Sequence, residues 1–357
     1  MSPTVDGQRR LDLFAAGIVY LDIIFTGLPA LPAPGTEVWT LGMGSSPGGI
    51  ANLAVAASRL GVHTGLSSPF SSDAYGDFCW QILHGEENVD LSASRRFDGW
   101  HSPVTVSLAY ERDRSMITHG HPAPATVEGL VGDLPAARSA YVSLEREPMP
   151  WVRRAHAAGT MVFADAGWDA TGSWSAEALS VLDHCHAFLP NAVEAMRYTH
   201  TDTPAAALRA LAARVPVTVV TCGPAGALAL DAGTGEEASV PGVPVEALDP
   251  TGAGDVFGAG FIAGTLAGWP LTDRLAFANL VAALSVQHFG GSLSAPGWGD
   301  IGDWWRATKD RAATGHADST DAEVARRYAF LDDAIPTGRI RQVRRATATI
   351  AKLSDAQ

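Results

Sequence analysis

The 357-residue sequence is short of cysteine, of positive charge and of long apolar runs, and each shortage excludes something. Its three cysteines, Cys79, Cys185 and Cys222, are odd in number and form no C-x-x-C pair. That argues against a disulfide scaffold and suits a reducing compartment. Lys and Arg number 25 against 38 Asp and Glu, a formal net charge of −13. A surface this acidic repels phosphate backbones and anionic membranes, so neither nucleic acid nor membrane is an expected partner. Met1–Arg10 is polar and lacks the apolar core of a secretory signal, and the apolar stretch Leu13–Leu21 is too short to span a bilayer. A cytoplasmic location is expected. No G-x-x-x-x-G-K-[ST] loop is present, so a P-loop mechanism is not supported, and no internal repeat or long low-complexity tract is found.

Against these shortages stand 46% hydrophobic and 18% charged residues, a balance that supplies a large core. At about 150 residues per domain, the length allows two domains or one large α/β domain with an insertion. Leu13–Val19 reads as a buried parallel strand. Ile50, Leu53, Ala54, Ala57 and Leu60 recur at helical spacing before Gly61, a helix stop. Val104–Tyr110 alternates polar and apolar residues as a strand with one solvated face does. Short apolar runs follow at Tyr141–Leu144, Met161–Asp165, Ala187–Leu189, Val217–Thr221 and Ala227–Leu230, with helical stretches at Pro150–Ala158, Ala176–His184 and Thr203–Arg214. The alternation predicts an α/β fold, a mostly parallel central sheet with helices on both faces. Residues 22–47 and 97–125, rich in Gly, Pro and short β-like runs, predict a small β-element beside it. The tail, residues 297–357, reads as an appendage or packing arm with no assigned chemistry.

The most informative stretch is Asp249–Gly264, DPTGAGDVFGAGFIAG. Its glycine-rich turn precedes a helix expected to open at Asp255 and run to about Ala267. Converging backbone N–H groups and the helix dipole make such a turn a pocket for a phosphate or a developing oxyanion. Asp255, in the first turn, is placed to take a proton from an attacking hydroxyl. A plain helix cap is the other reading of the same residues. Asp22 follows an apolar strand, where open α/β sheets place ligands. Asp165 also ends a strand, and a turn or cap before Gly167 accounts for it equally well. Three further patterns are weaker. Gly44-x-Ser46-x-Gly48 fits a nucleophile elbow but lacks identifiable partners. Gly258-x-Gly260-x-x-Ala263 has dinucleotide-fingerprint spacing but lies inside a helix, where small residues serve close packing. His184-Cys185-His186 has no second ligand pair at metal-binding spacing.

Several motifs in order, GAGDVFGAGFIAG with Asp249 and Thr251, Gly17-x4-Asp22, Pro34-Gly35, Gly48-Gly49-x-x-Asn52, Arg59-Leu60-Gly61, Pro190-Asn191-x-x-Glu194, Thr221-x-Gly223-x-x-Gly226 and Phe277–Ala283, closely resemble those of the ribokinase-like (PfkB) carbohydrate kinases. The match runs over about residues 11–295, so residues 11–296 are expected to form a ribokinase-like kinase domain, with a β-lid drawn from 22–47 and 97–125. The resemblance implies an ATP-dependent kinase that phosphorylates a hydroxyl of a sugar or sugar-like substrate. A nucleoside kinase of the same family and a non-catalytic sugar-binding relative are the alternatives. It implies Asp255 as general base and the amides of Gly252, Ala253 and Gly254 as the anion hole. Asp22, Gly48, Gly49 and Asn52 would hold the substrate. Asn191 and Glu194 would organise Mg²⁺ and its waters, and Thr221, Gly223, Gly226 and Asn279 would line the ATP site. Asp249 and Thr251 match positions that bind an activating monovalent cation such as K⁺ in some members, and a homodimer through the lid is implied in the same way. In one place the sequence departs from the family. Two residues, not three, separate the glycine pair from Asn52, so either the pair is shifted by one, with Pro47 at the first glycine position, or the turn is shortened.

Overall fold

A computed structural model describes residues 4–5, 8–110, 113–144, 149–167, 172–175, 177–314, 320–338, 340–343 and 345–346. Ala176, where a helix is expected to open, lies outside the described residues, as do parts of the 97–125 region and of the tail, 347–357 among them. Strand β1 (Leu11–Ala16) opens a large sheet, and β2 (Val19–Thr26) and β3 (Gly42–Gly49) belong to a small one. Helix α1 (Ile50–Arg59) leads back to the large sheet through β4 (Thr64–Ser67). A hairpin, β5 (Val104–Tyr110) and β6 (Asp113–His119), completes the small sheet. The large sheet continues with β7 (Ala137–Leu144), β8 (Met161–Ala166) and β9 (Ala187–Phe188), then helix α2 (Ala192–Thr199). Strands β10 (Val217–Thr221), β11 (Ala227–Asp231) and β12 (Glu236–Val240) follow. Helices α3 (Ala253–Leu266), α4 (Leu271–Ser285) and α5 (Trp298–Thr314) come after the last strand.

The large sheet has the order β12-β11-β10-β9-β8-β7-β1-β4 and is parallel from β4 to β10. At the other edge β10, β11 and β12 run antiparallel, because the five residues Cys222–Gly226 are too few for the crossover a parallel neighbour needs. Residues alternate between its faces: Leu13 and Ala15 enter the core under α1, α3 and α4, while Phe14 and Ala16 enter the core with Trp151, Leu182 and Leu208. The apolar run Leu13–Val19 is not one strand. Its first part ends at Ala16, Gly17 donates its amide to Ser67 O at 3.1 Å, and Val19 starts β2 in the small sheet.

The small sheet has the order β6-β5-β2-β3 and sets Ser46, Asp22, Thr105 and Thr118 in one cross-strand row. In α3 Gly260 serves packing. A Cβ on Gly260 would stand 3.0 Å from Ala278 Cα and 2.6 Å from Val281 Cγ2 of α4. Described residues of the tail pack against the domain. Trp298 stacks on Phe277 with ring centroids 5.5 Å apart and donates Nε1–H to Leu60 O at 2.9 Å. The fully buried Tyr328 donates its hydroxyl to Ala276 O at 3.1 Å. Among the described residues no helix is long and apolar enough to cross a membrane.

Candidate active site

Helix α3 opens at Ala253, two residues before Asp255, with Gly252 at its N-cap in the left-handed region, φ 75°. A side chain at 252 would be strained and would stand 3.1 Å from Asn52 Cγ, so glycine is required there. That approach carries Asn52 of α1 to Asp255: Nδ2–H donates to Asp255 Oδ2 at 3.0 Å. Asn52 Oδ1 is buried with no partner, as is Ser46 Oγ. Both point to Gly291, φ 47°, where a Cβ would stand 3.0 Å from Asn52 Oδ1, 3.5 Å from Asp22 Oδ2 and 3.7 Å from Ser46 Oγ. A carboxylate, an amide and a hydroxyl thus converge where two buried polar atoms, Asn52 Oδ1 and Ser46 Oγ, have no protein partner and could serve a bound polar molecule. Gly48 borders this cluster, since a Cβ there would fall onto the Asp22 carboxylate. Gly49 instead faces Ile18 O and the Tyr20 ring and turns the chain into α1 with φ 62°. Ser46 and Gly291 escaped the sequence reading. The Gly290-Gly291 doublet was the visible signal for one, and Ser46 was visible only within the nucleophile-elbow pattern. That pattern fails here because Ser46 lies inside β3 and not at a strand-to-helix turn.

On the nucleotide-side motifs, Thr221 ends β10 and donates its amide to Pro190 O at 3.1 Å, beside Asn191. Asn191 and Glu194 form a capping box on α2: Glu194 N donates to Asn191 Oδ1 at 3.0 Å and Asn191 N to Glu194 Oε2 at 2.9 Å. Gly226, φ 95°, must be glycine because a side chain would collide with Val240 O and Gly242. Asn279 donates Nδ2–H to Val240 O at 3.0 Å and Pro241 O at 3.4 Å. It therefore braces the loop against which Gly226 packs.

The charges of Glu194 and Asp255 both reach the buried Asp165. Burial first, then the charges of Glu194 and Asp255, hold the Asp165 carboxyl well above its ordinary range. Tyr141 donates its hydroxyl to Asp165 Oδ2 at 3.1 Å, and burial followed by Asp165 and Asp255 pushes that phenol up as well. Burial also raises Glu194, against the bonds from Asn191. A buried carboxyl that feels two other carboxylates belongs to a hard-oxygen donor set of the kind that fits Mg²⁺. Asp165, left even between two readings on sequence, belongs to this group. A second cation site fits Asp249, 1% exposed, whose oxygens accept Thr251 N at 2.9 Å and Gly290 N at 3.3 Å beside the buried, unpartnered Thr251 Oγ1. At the glycine turn, Ala253 N–H donates to Pro250 O at 3.2 Å, whereas among the described residues Gly252 and Gly254 amides donate to no protein acceptor. No ligand cluster forms around His184-Cys185-His186 among the described residues.

The chain is 29% identical over 258 residues to the fructoselysine 6-kinase of Shigella flexneri, spanning 69% of this chain and 91% of the relative. It is 26% identical over 298 residues to a nucleoside kinase of Methanothermobacter thermautotrophicus, 81% of this chain and 94% of that one. Arabidopsis thaliana ribokinase, solved with ribose and ATP, shares the fold at a TM-score of 0.68 and 23% identity, covering 82% of this chain and 98% of its own. An E. coli protein assigned as ribokinase II, solved with ATP and Mg²⁺, does so at a TM-score of 0.70 and 22% identity, over 83% of this chain and 99% of its own. The fold is therefore ribokinase-like. The family profile described as pfkB family carbohydrate kinase matches residues 40–298, and the chain belongs to that family of kinases.

Proposed function

We propose that the protein transfers the γ-phosphoryl group of ATP to a hydroxyl of a sugar or sugar-like acceptor, with Asp255 as general base. The observation that carries this is the 3.0 Å bond from Asn52 to Asp255, which sets the carboxylate at the first turn of α3 next to the polar atoms converging on Gly291. An acceptor hydroxyl held by Asp22, Asn52 and Ser46 lies within reach of that base. Asp255 takes its proton as the oxygen attacks in line, and the Gly252 and Gly254 amides at the helix N-terminus receive the charge on the transferring group. Ala253 joins them once its amide leaves Pro250. Thr221, Gly223 and Gly226 wall the ATP site, with Asn279 bracing that wall. Asp165, Asn191 and Glu194 would hold Mg²⁺ through its waters, and Asp249 with Thr251 would hold a monovalent cation such as K⁺. When bound, Mg²⁺ supplies neutralisation of phosphate charge. The small sheet acts as a lid that excludes water and as the face of a homodimer, in keeping with the exposure of Ile117 in β6 and of Trp39 and Leu41 in the segment before β3.

None of the three groups at Gly291 is Lys or Arg, so an acceptor already carrying a phosphate is disfavoured. Carboxylate, amide and hydroxyl suit vicinal hydroxyls, and the acceptor class is a free sugar, a sugar acid or a nucleoside. Coupled ADP release with Mg²⁺-ATP across such a panel, with and without K⁺, is the test. Asp255→Asn is expected to lower kcat by about 10²–10⁴-fold while leaving ATP binding intact. Unchanged turnover in that variant would overturn the mechanism.

A further inference from the structure

Away from these residues, on the outer edge of the small sheet, three imidazoles meet. One nitrogen from each of His101, His119 and His121 lies within 4.8 Å of the others. Among the described residues this is the only group of three or more His, Cys, Asp or Glu side chains to converge so closely. The rings are tightly arranged: His101 stacks on His119 at 5.2 Å, and His121 stands edge-on to both, at 4.7 and 5.5 Å.

The arrangement is built. His101 sits between Trp100 and Ser102, and both neighbours are tethered. Ser102 donates its amide and its hydroxyl to Asp73 at 2.7 and 2.8 Å, and Ser71 Oγ donates to Trp100 O. Nδ1 of His101 lies 3.1 Å from Ser102 O. A carbonyl only accepts, so Nδ1 is the donor and Nε2 is the ring nitrogen left to ligate a metal. A backbone carbonyl oriented this way is the common outer partner of a metal-bound imidazole. On the other side, His119 ends β6 and is the register partner of Val104, and His121 follows two residues later, its carbonyl 3.4 Å from Trp100 Nε1.

We infer that His101, His119 and His121 form a tri-histidine site for a transition-metal ion of the Zn²⁺ class. Three neutral imidazoles and a water complete a tetrahedral zinc shell. Zinc–nitrogen bonds of about 2.0–2.1 Å would draw the nitrogens to roughly 3.4 Å apart. His119 and His121 are exposed and His101 is half-buried, so rotation of the rings covers the difference. The site is separate from phosphoryl transfer. Thr118 shares the row of Asp22, and its neighbour His119 therefore points to the opposite face of the sheet. A bound ion ties the end of the β5–β6 hairpin to the Trp100–Ser102 segment anchored on Asp73.

Equilibrium dialysis of the full chain against Zn²⁺ at neutral pH, with visible absorption of Co²⁺ as a second probe, tests this. One tight equivalent and a tetrahedral Co²⁺ spectrum are expected. Both should be lost in His119→Ala and in His121→Ala, with affinity weaker by at least about tenfold, since even an outer partner is worth that much. A His184→Ala control should bind as the parent does. The substituted imidazoles are exposed, and an unchanged melting temperature without metal checks the fold. No tight equivalent in the parent, or binding as tight as the parent's in either variant, would overturn the site.

Discussion

Asp165 shows how a single side chain reports the chemistry around it. Its carboxyl is held above the ordinary 3.8 by burial, then by Glu194 and Asp255. Without Mg²⁺ or nucleotide, the folded chain keeps a proton that the unfolded chain has released. Stability therefore falls as pH rises from about 4 toward the raised value. The melting temperature of the ligand-free protein is expected to drop over that range, and Asp165→Asn to flatten the slope. An identical slope in the variant would show that Asp165 does not titrate as described. Gly291 makes the complementary case. Alanine there would be strained at φ 47° and would crowd Asn52 Oδ1. The acceptor KM should rise by about tenfold or more, equivalent to roughly 1.4 kcal/mol, while the KM for ATP is unchanged. Asp22, Asn52 and Asp255 were legible because each sits in an ordered motif. Ser46 and Gly291 were not, since their partners are about 245 residues apart along the chain and only folding makes them neighbours.

Elements were legible where local physics dominates. Val217–Thr221 and the helix from Ile50 stand where periodicity puts them, because burial on known faces leaves one arrangement. The break at Gly17 was hidden, since an apolar run looks the same whether it serves one sheet or two. The Gly258-x-Gly260 pair had two readings, and the contact of Gly260 with α4 favours packing. Gly260→Ala should cost about 1–3 kcal/mol in urea unfolding, because its Cβ would meet the stiff, buried Val281 side chain at 2.6 Å and the Ala278 backbone at 3.0 Å. A neutral result would mean that α3 and α4 separate easily.

At the scale of the whole molecule, Ile301, Trp305, Tyr328, Leu331 and Ala346 of the tail enter the core, and Arg341 of the tail joins a buried ion pair in the first hundred residues. Arg59 and Glu87 are fully buried and 2.8 Å apart. Arg59 also donates to Leu293 O at 3.1 Å, and Arg341 of the tail reaches Glu87 at 3.2 Å. Glu87→Ala would strand a buried guanidinium and should cost about 3–5 kcal/mol of unfolding free energy, with Glu87→Gln recovering part. A loss below 1 kcal/mol in the same urea experiment would show that water reaches Arg59. By itself the sequence determined the fold class, the glycine turn before α3 and the order of the motifs, all of which depend on short-range spacing. The tertiary structure alone decided that Gly48, not Gly49, borders Asp22, that Asn279 braces a backbone loop, that Asp165 joins Glu194 and Asp255, and that three histidines meet at the sheet edge. Those outcomes depend on distances across the fold, which no local pattern encodes.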